Sequence, residues 1–261
     1  MQNDKRFTNQ VMLVTGAAQG IGRGVALAAA REGASLVLVD RSGYLEEVAH
    51  EVRGLGTPVI TVTADLESYE GAQQAIQAAE DTFGGVDILV NNVGGTIWAK
   101  PYQEYEEPQI EAEIRRSLFP TLWCCRAVLP GMIRQQHGVI VNVSSVATRG
   151  IYRIPYSAAK GGINALTASL AMEHAADNIR VNAVATGGTE APARRIPRNN
   201  NTLSKQEQVW YQGIVDQTIN SSLFHRYGSI EEQVRAILFL ASSESSYITG
   251  SILPVGGGDQ G

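Results

Sequence analysis

The stretch that decides the fold is Val11-Met12-Leu13-Val14-Thr15-Gly16-Ala17-Ala18-Gln19-Gly20-Ile21-Gly22. A short apolar run enters a turn carrying three glycines, and an amphipathic segment over 21–32 follows it. Glycine at 16, 20 and 22 permits a tight turn, close backbone approach to a pyrophosphate and close helix–strand packing. A helix that starts there offers unpaired N–H groups and a partial positive charge to an anion. Gly16, Gln19, Gly20, Ile21 and Gly22 are therefore candidates for holding a dinucleotide. The next apolar run, 35–39, is closed by Asp40, whose carboxylate can accept from ribose hydroxyls and repel a 2′-phosphate. That favours NAD over NADP, and Arg41 beside it works against the preference.

Outward from this unit the same rhythm repeats. Runs rich in Val and Ile at 58–63, 86–90, 139–143, 180–184 and 251–255 read as further strands. Segments 44–54, 69–83, 108–135, 156–176 and 230–242 read as the helices between them. Strand–helix alternation with crossovers of this length predicts an α/β, Rossmann-like, doubly wound parallel sheet of seven strands. No repeat or linker divides the 261 residues, so one domain over 1–261 is expected. Between 187 and 227 no strand is predicted, and the stretch is rich in Pro, Arg and Asn. It follows the sixth strand, which places it over the ligand crevice as a lid.

Composition narrows the function. A net charge of −5 argues against a broad nucleic-acid or anionic-membrane footprint, and no apolar run reaches the length of a membrane span. The N-terminal residues do not form a secretory signal. Cys124 and Cys125 are adjacent, and helix neighbours point about 100° apart, so they do not pair for zinc. Free buried thiols in a reducing, cytoplasmic setting are expected, with no metal, and sequons such as the one at Asn142 are then chance matches.

Four spaced motifs resemble the short-chain dehydrogenase/reductase family. They are Thr15-Gly16 through Gly20-Ile21-Gly22, Asp65-Leu66, Asn91-Asn92-Val93-Gly94, and Tyr156-x-x-x-Lys160. The resemblance runs to Pro254-Val255-Gly256-Gly257-Gly258. It implies an NAD-dependent oxidoreductase in which Asp65, Leu66 and Asn92 contact the cofactor. Gly187 and Thr189 would then approach the nicotinamide carboxamide, although Ala185-Thr186-Gly187 departs from the family's usual Pro-Gly. Homo-oligomers, dimers or tetramers, are also implied.

Tyr156 and Lys160 sit one helical turn apart with small residues between them, which puts both on one face. A free phenol is a poor base at neutral pH, and a neighbouring ammonium stabilises its phenolate. Such a pair can take a hydroxyl proton while hydride leaves the same carbon. By resemblance the catalytic hydroxyl donor is Ser145, with Ser144 as the alternative. Ser117 occupies the place where many members carry an Asn that relays protons to the lysine.

Arginines gather near the expected crevice: Arg115, Arg116, Arg149, Arg153, Arg194 and Arg195. Guanidinium groups bind carboxylate through paired hydrogen bonds, so an anionic small molecule is expected, with Arg116 or Arg149 as its clamp. Trp98 can pack on a flat ring or serve the core. The segments around Trp98, Ser117, Arg149 and Arg194 resemble family members that oxidise the cis-diol of a cyclohexadiene carboxylate. A ketoreductase or polyol dehydrogenase, and a regulatory nucleotide-binding protein without turnover, remain the alternatives.

Overall fold

A computed structural model describes residues 5–199 and 201–261. Seven strands form one parallel sheet: β1 (Val11–Thr15), β2 (Ser35–Asp40), β3 (Val59–Thr63), β4 (Ile88–Asn91), β5 (Gly138–Ser145), β6 (Ile179–Thr186) and, last in the chain, Ile252–Val255. Two short strands intervene, β7 (Thr189–Glu190) and β8 (Gly228–Ser229), so the last strand is β9. The sheet order is β3-β2-β1-β4-β5-β6-β9. The chain winds outward in both directions from the β1–β4 junction. That junction is where an open α/β sheet leaves a crevice beyond its strands' carboxyl ends.

Helices α1 (Gly20–Arg31), α2 (Leu45–Gly54), α3 (Tyr69–Phe83), α4 (Glu107–Ser117), α5 (Phe119–Gln135), α6 (Ile154–Glu173), α7 (Lys205–Ser221) and α8 (Ile230–Ala241) complete the fold. Because side chains alternate along a strand, each central strand feeds two cores. Met12, Val14, Leu36, Leu38, Ile88 and Val90 pack with Val25, Ala29, Ile237 and Leu238 on one side. Leu13, Val37, Leu89, Ile140 and Val181 pack with Ala75, Ala79, Cys125 and Met132 on the other. This double burial is why the strands read as continuously apolar. Leu13 is fully buried, and Leu13→Ala would cost roughly 2–5 kcal/mol.

Three expectations need correction. The helix expected over 108–135 is two helices that break at Leu118, whose backbone stands at φ −118° and ψ −48°. Pro120 has no N–H to give the carbonyl one turn earlier, so the ladder is interrupted there. The stretch 187–227 is not strandless: Thr189–Glu190 pairs in parallel with Gly228–Ser229. Nor is it irregular throughout, since α7 fills 205–221. The capping box of α7, Ser204 with Glu207, satisfies its first turn and was readable in the sequence.

Candidate active site

The turn after β1 is shaped by two left-handed glycines, Gly16 at φ +65° and Gly20 at φ +60°. Gly22 is required for a different reason: a Cβ there would lie 2.2 Å from the Gly16 carbonyl oxygen. Helix α1 opens with no side-chain cap and no acidic residue in its first turn, leaving its N–H groups for an anion. Asp40 is held by N–H donors from Ala18 (3.2 Å) and Ser42 (3.1 Å), and its carboxylate faces the same cleft. Asp65 accepts from the Glu67 N–H at 3.0 Å and lines the cleft with Leu66. A cradle too narrow for a side chain at position 22, an uncapped helix start and an oriented carboxylate fit a nicotinamide dinucleotide.

Two of the sequence candidates also brace that cradle through protein hydrogen bonds. Asn92 spends its amide on the turn itself, donating to the carbonyls of Thr15 (3.1 Å) and Gly16 (3.2 Å). Its backbone N–H donates to Thr15 Oγ1 at 2.9 Å. Gln19 clips the 187–227 excursion: its Nε2 donates to the Ile196 carbonyl at 3.0 Å, and its Oε1 accepts the Ile196 N–H at 3.3 Å. Both side chains line the cleft.

The cleft meets a larger cavity of about 850 Å³, within the range of small-molecule sites. Tyr156, on the first turn of α6, borders both spaces. Lys160 follows one turn later, 97% buried, and its Nζ donates to the Val143 carbonyl at 2.7 Å. Burial, and then the charge of Arg198, pull its pKa down to about 7. Ser145 lines the larger cavity with Tyr156, Trp98 and Arg149. Its Oγ accepts from the Ala147 N–H and donates toward the Thr186 carbonyl at 3.3 Å. Ser144 faces the other side of β5, where its Oγ donates to Asn164 Oδ1 at 2.6 Å. Of the pair, Ser145 lines the larger cavity and Ser144 the cofactor cleft.

Helix α4 governs the loop after β4. Ser117 is fully buried, and its Oγ accepts the Gly95 N–H at 3.2 Å. One turn earlier, Glu113 Oε1 accepts the N–H groups of Ile97 (2.8 Å) and Trp98 (2.9 Å). Desolvation raises the Glu113 pKa against those donors, and its Oε2 is buried without a partner. Glu113 was missed in the sequence, although its position four residues before Ser117 shares the same helix face.

The arginines divide sharply. Arg116, expected at the substrate, lies on the cofactor side and its Nε binds Glu67 at 2.5 Å. That correction follows from the side of α4 it occupies, toward the loop after β3. Arg195 pairs with Glu47, and Arg115 stacks over Phe119. Arg149, Arg153, Arg194 and Arg198 all line the larger cavity. Among the described residues none of these four forms an ion pair. Arg149 is exposed at the rim. Gly187 and Thr189 also line this cavity, with Thr189 Oγ1 donating to the Gly187 carbonyl at 3.2 Å.

A dinucleotide cradle that holds Lys160 and shares Tyr156 with a larger cavity defines a nicotinamide-dependent oxidoreductase of the doubly wound class. The chain belongs to the short-chain dehydrogenase family, whose pattern matches residues 10–201. It is 64% identical over 261 residues, all of both chains, to the 1,6-dihydroxycyclohexa-2,4-diene-1-carboxylate dehydrogenase of Acinetobacter baylyi (strain ATCC 33305 / BD413 / ADP1). A protein of the same name from Pseudomonas putida is 62% identical over 258 residues, covering 99% of this chain and 95% of that one. Among solved structures, an NAD+-bound xylitol dehydrogenase superposes with a TM-score of 0.85 at 30% identity, covering 97% of this chain and 100% of that one.

Proposed function

We propose that this protein oxidises cis-1,6-dihydroxycyclohexa-2,4-diene-1-carboxylate at its secondary alcohol with NAD as the acceptor. The observation that carries the reading is the position of Tyr156, on the shared wall of the dinucleotide cleft and an arginine-lined cavity. The names of the two relatives above support the substrate. Asp40, turned into the cleft by Ala18 and Ser42, supports NAD over NADP.

Carbon 1 of this substrate carries a tertiary alcohol and has no hydrogen to give, so oxidation falls on carbon 6. The oxidised nicotinamide, when bound, accepts the hydride. Ser145 hydrogen-bonds the reacting hydroxyl, and Tyr156 takes its proton as the C–H bond breaks. Lys160 anchors on Val143, and its protonated form presents positive charge to the phenolate side of that exchange. Ser117 and Glu113 act as positioning residues by fixing Gly95, Ile97 and Trp98 beneath the substrate. The product ketone stands β to the carboxylate. Loss of CO2 then yields catechol, and aromatisation draws the sequence forward.

The cavity belongs to one domain over which residues 187–227 act as a lid, tied to the cofactor turn through Gln19. Among the described residues no helix is long and apolar enough to cross a membrane. The two cysteines are free and buried, which supports a reducing, cytoplasmic setting. Exposed apolar side chains, Met172 on α6 and Phe224 after α7, support a homo-oligomer, to be read by sedimentation.

The test is NADH formation on the diol carboxylate, compared with polyols and 3-oxoacyl thioesters. Turnover confined to the diol, lost in Tyr156→Phe and strongly reduced in Ser145→Ala, is expected. Equal or better turnover of a polyol or thioester would overturn the substrate. NAD binding with no turnover of any alcohol would overturn the enzymatic reading.

A further inference from the structure

The carboxylate of the proposed substrate hangs two bonds from the carbon that gives up hydride. It must therefore lie close to the place where the cofactor cleft and the larger cavity join. Six residues border both spaces: Gly20, Ile21, Tyr156, Thr186, Arg194 and Arg198. Only the two arginines carry charge there. This removes Arg116, which is on the cofactor side with Glu67, and Arg149, which is at the outer rim, as carboxylate ligands.

Of the two, Arg198 is the inner one. Its guanidinium lies against the backbone of Gly95, where a Cβ would fall 2.0 Å from its Cζ. The residue at 95 must be glycine for Arg198 to reach this depth, and Gly95 itself is held by Ser117. The Nε of Arg198 is buried with no hydrogen-bond partner. The buried carboxylate of Glu113 feels its charge, yet among the described residues the two do not form an ion pair, and Glu113 Oε1 is already committed to two N–H groups. Arg198 as a whole is partly buried, and a guanidinium drawn this far from water without an anion is costly unless something supplies one. Arg194, four residues earlier and open to the same spaces, repels it and adds to the demand.

We propose that Arg198 is the specificity residue of this site, receiving the substrate carboxylate at the junction of cleft and cavity with Arg194 as the outer cation. The assignment rests on the functional reading above. It makes the 187–227 segment part of the binding site, because the carboxylate is gripped from the lid and not from the sheet. A diol without the carboxylate leaves the pair of arginines unneutralised, so discrimination arises from an unmet charge as well as from a contact made.

The experiment uses the full chain, wild type and Arg198→Gln, in two measurements. One is kcat/KM on the diol carboxylate. The other is equilibrium binding of salicylate, an aromatic carboxylate with no hydride to give, and of catechol, its uncharged counterpart, to the NADH complex. Arg198→Gln is expected to lose about a hundredfold in kcat/KM and in salicylate affinity, as for truncation of one partner of a buried charge pair. Catechol and NAD+ affinities should stay within about twofold. Arg198→Lys should recover part of the salicylate binding, since charge returns without the planar fork. A parallel loss for salicylate and catechol, or a loss confined to NAD+, would overturn the assignment and make Arg198 a lid latch or a phosphate contact. A wild-type enzyme that fails to oxidise the diol carboxylate would instead overturn the functional reading on which the proposal stands.

Discussion

Lys160 offers a stability test that does not depend on turnover. Its ammonium is buried, and its pKa falls from 10.5 to about 7 through desolvation and the charge of Arg198. At about 1.36 kcal/mol per decade, the folded state bears a penalty on the order of 5 kcal/mol for keeping that lysine charged. The sign follows from proton counting. Between pH 7 and 10.5 the unfolded chain holds a proton that the folded chain has released, so folding stability rises with pH across that window. Below pH 7 the penalty is present in full. Lys160→Met removes the charge and also removes the hydrogen bond to the Val143 carbonyl, which offsets about 1–3 kcal/mol of the gain. In the cofactor-free protein at fixed concentration, the variant should be more stable than wild type near pH 6 by a few kcal/mol. Near pH 10 the order should reverse, because neutral Lys160 keeps its bond to Val143. Denaturant unfolding of both proteins from pH 6 to 10 reads this directly. A difference between them that does not change with pH would refute the reasoning.

Other outcomes follow from the same geometry. Gly22→Ala places a methyl 2.2 Å from the Gly16 carbonyl, so NAD+ affinity should fall more than tenfold in a protein that still folds, measured by calorimetric titration. Asp40→Ala should raise NADP+ turnover relative to NAD+ by about tenfold or more, since Arg41 then faces a 2′-phosphate unopposed; an unchanged ratio would remove Asp40 from the ribose. Asn142 is fully buried, accepting from Asn91 Nδ2 at 3.0 Å and donating to Thr167 Oγ1 at 2.9 Å. Asn142→Ala should therefore cost about 2–4 kcal/mol in denaturant unfolding and leave KM for the diol unchanged. The burial of Asn142 also excludes it as a glycan acceptor in the folded chain.

Features set by local constraint were legible before the structure. The strand, the three glycines and the helix after them are determined by backbone sterics within a dozen residues, and all appear where expected. The same holds for Tyr156 and Lys160, whose one-turn spacing needs only a helix. What escaped is settled by pairs distant in the chain. Nothing near Arg116 announces that Glu67 will meet it, and nothing near Arg198 announces that it will press on Gly95. Asn91 and Asn142 meet through strand register, β4 beside β5. Two misses had local signals that a stronger regional pattern overrode. Pro120 marks the break after α4, and Ser204 with Glu207 marks the start of α7 inside a stretch rich in Pro and Asn.

The central claim is that one hydride leaves carbon 6 and that decarboxylation follows. The most direct measurement supplies diol carboxylate deuterated at carbon 6 and follows label and gas together. Deuterium should appear in the reduced nicotinamide, with CO2 and catechol formed in equal amounts to it. Unlabelled NADH, or labelled NADH with the carboxylate retained in the product, would contradict it.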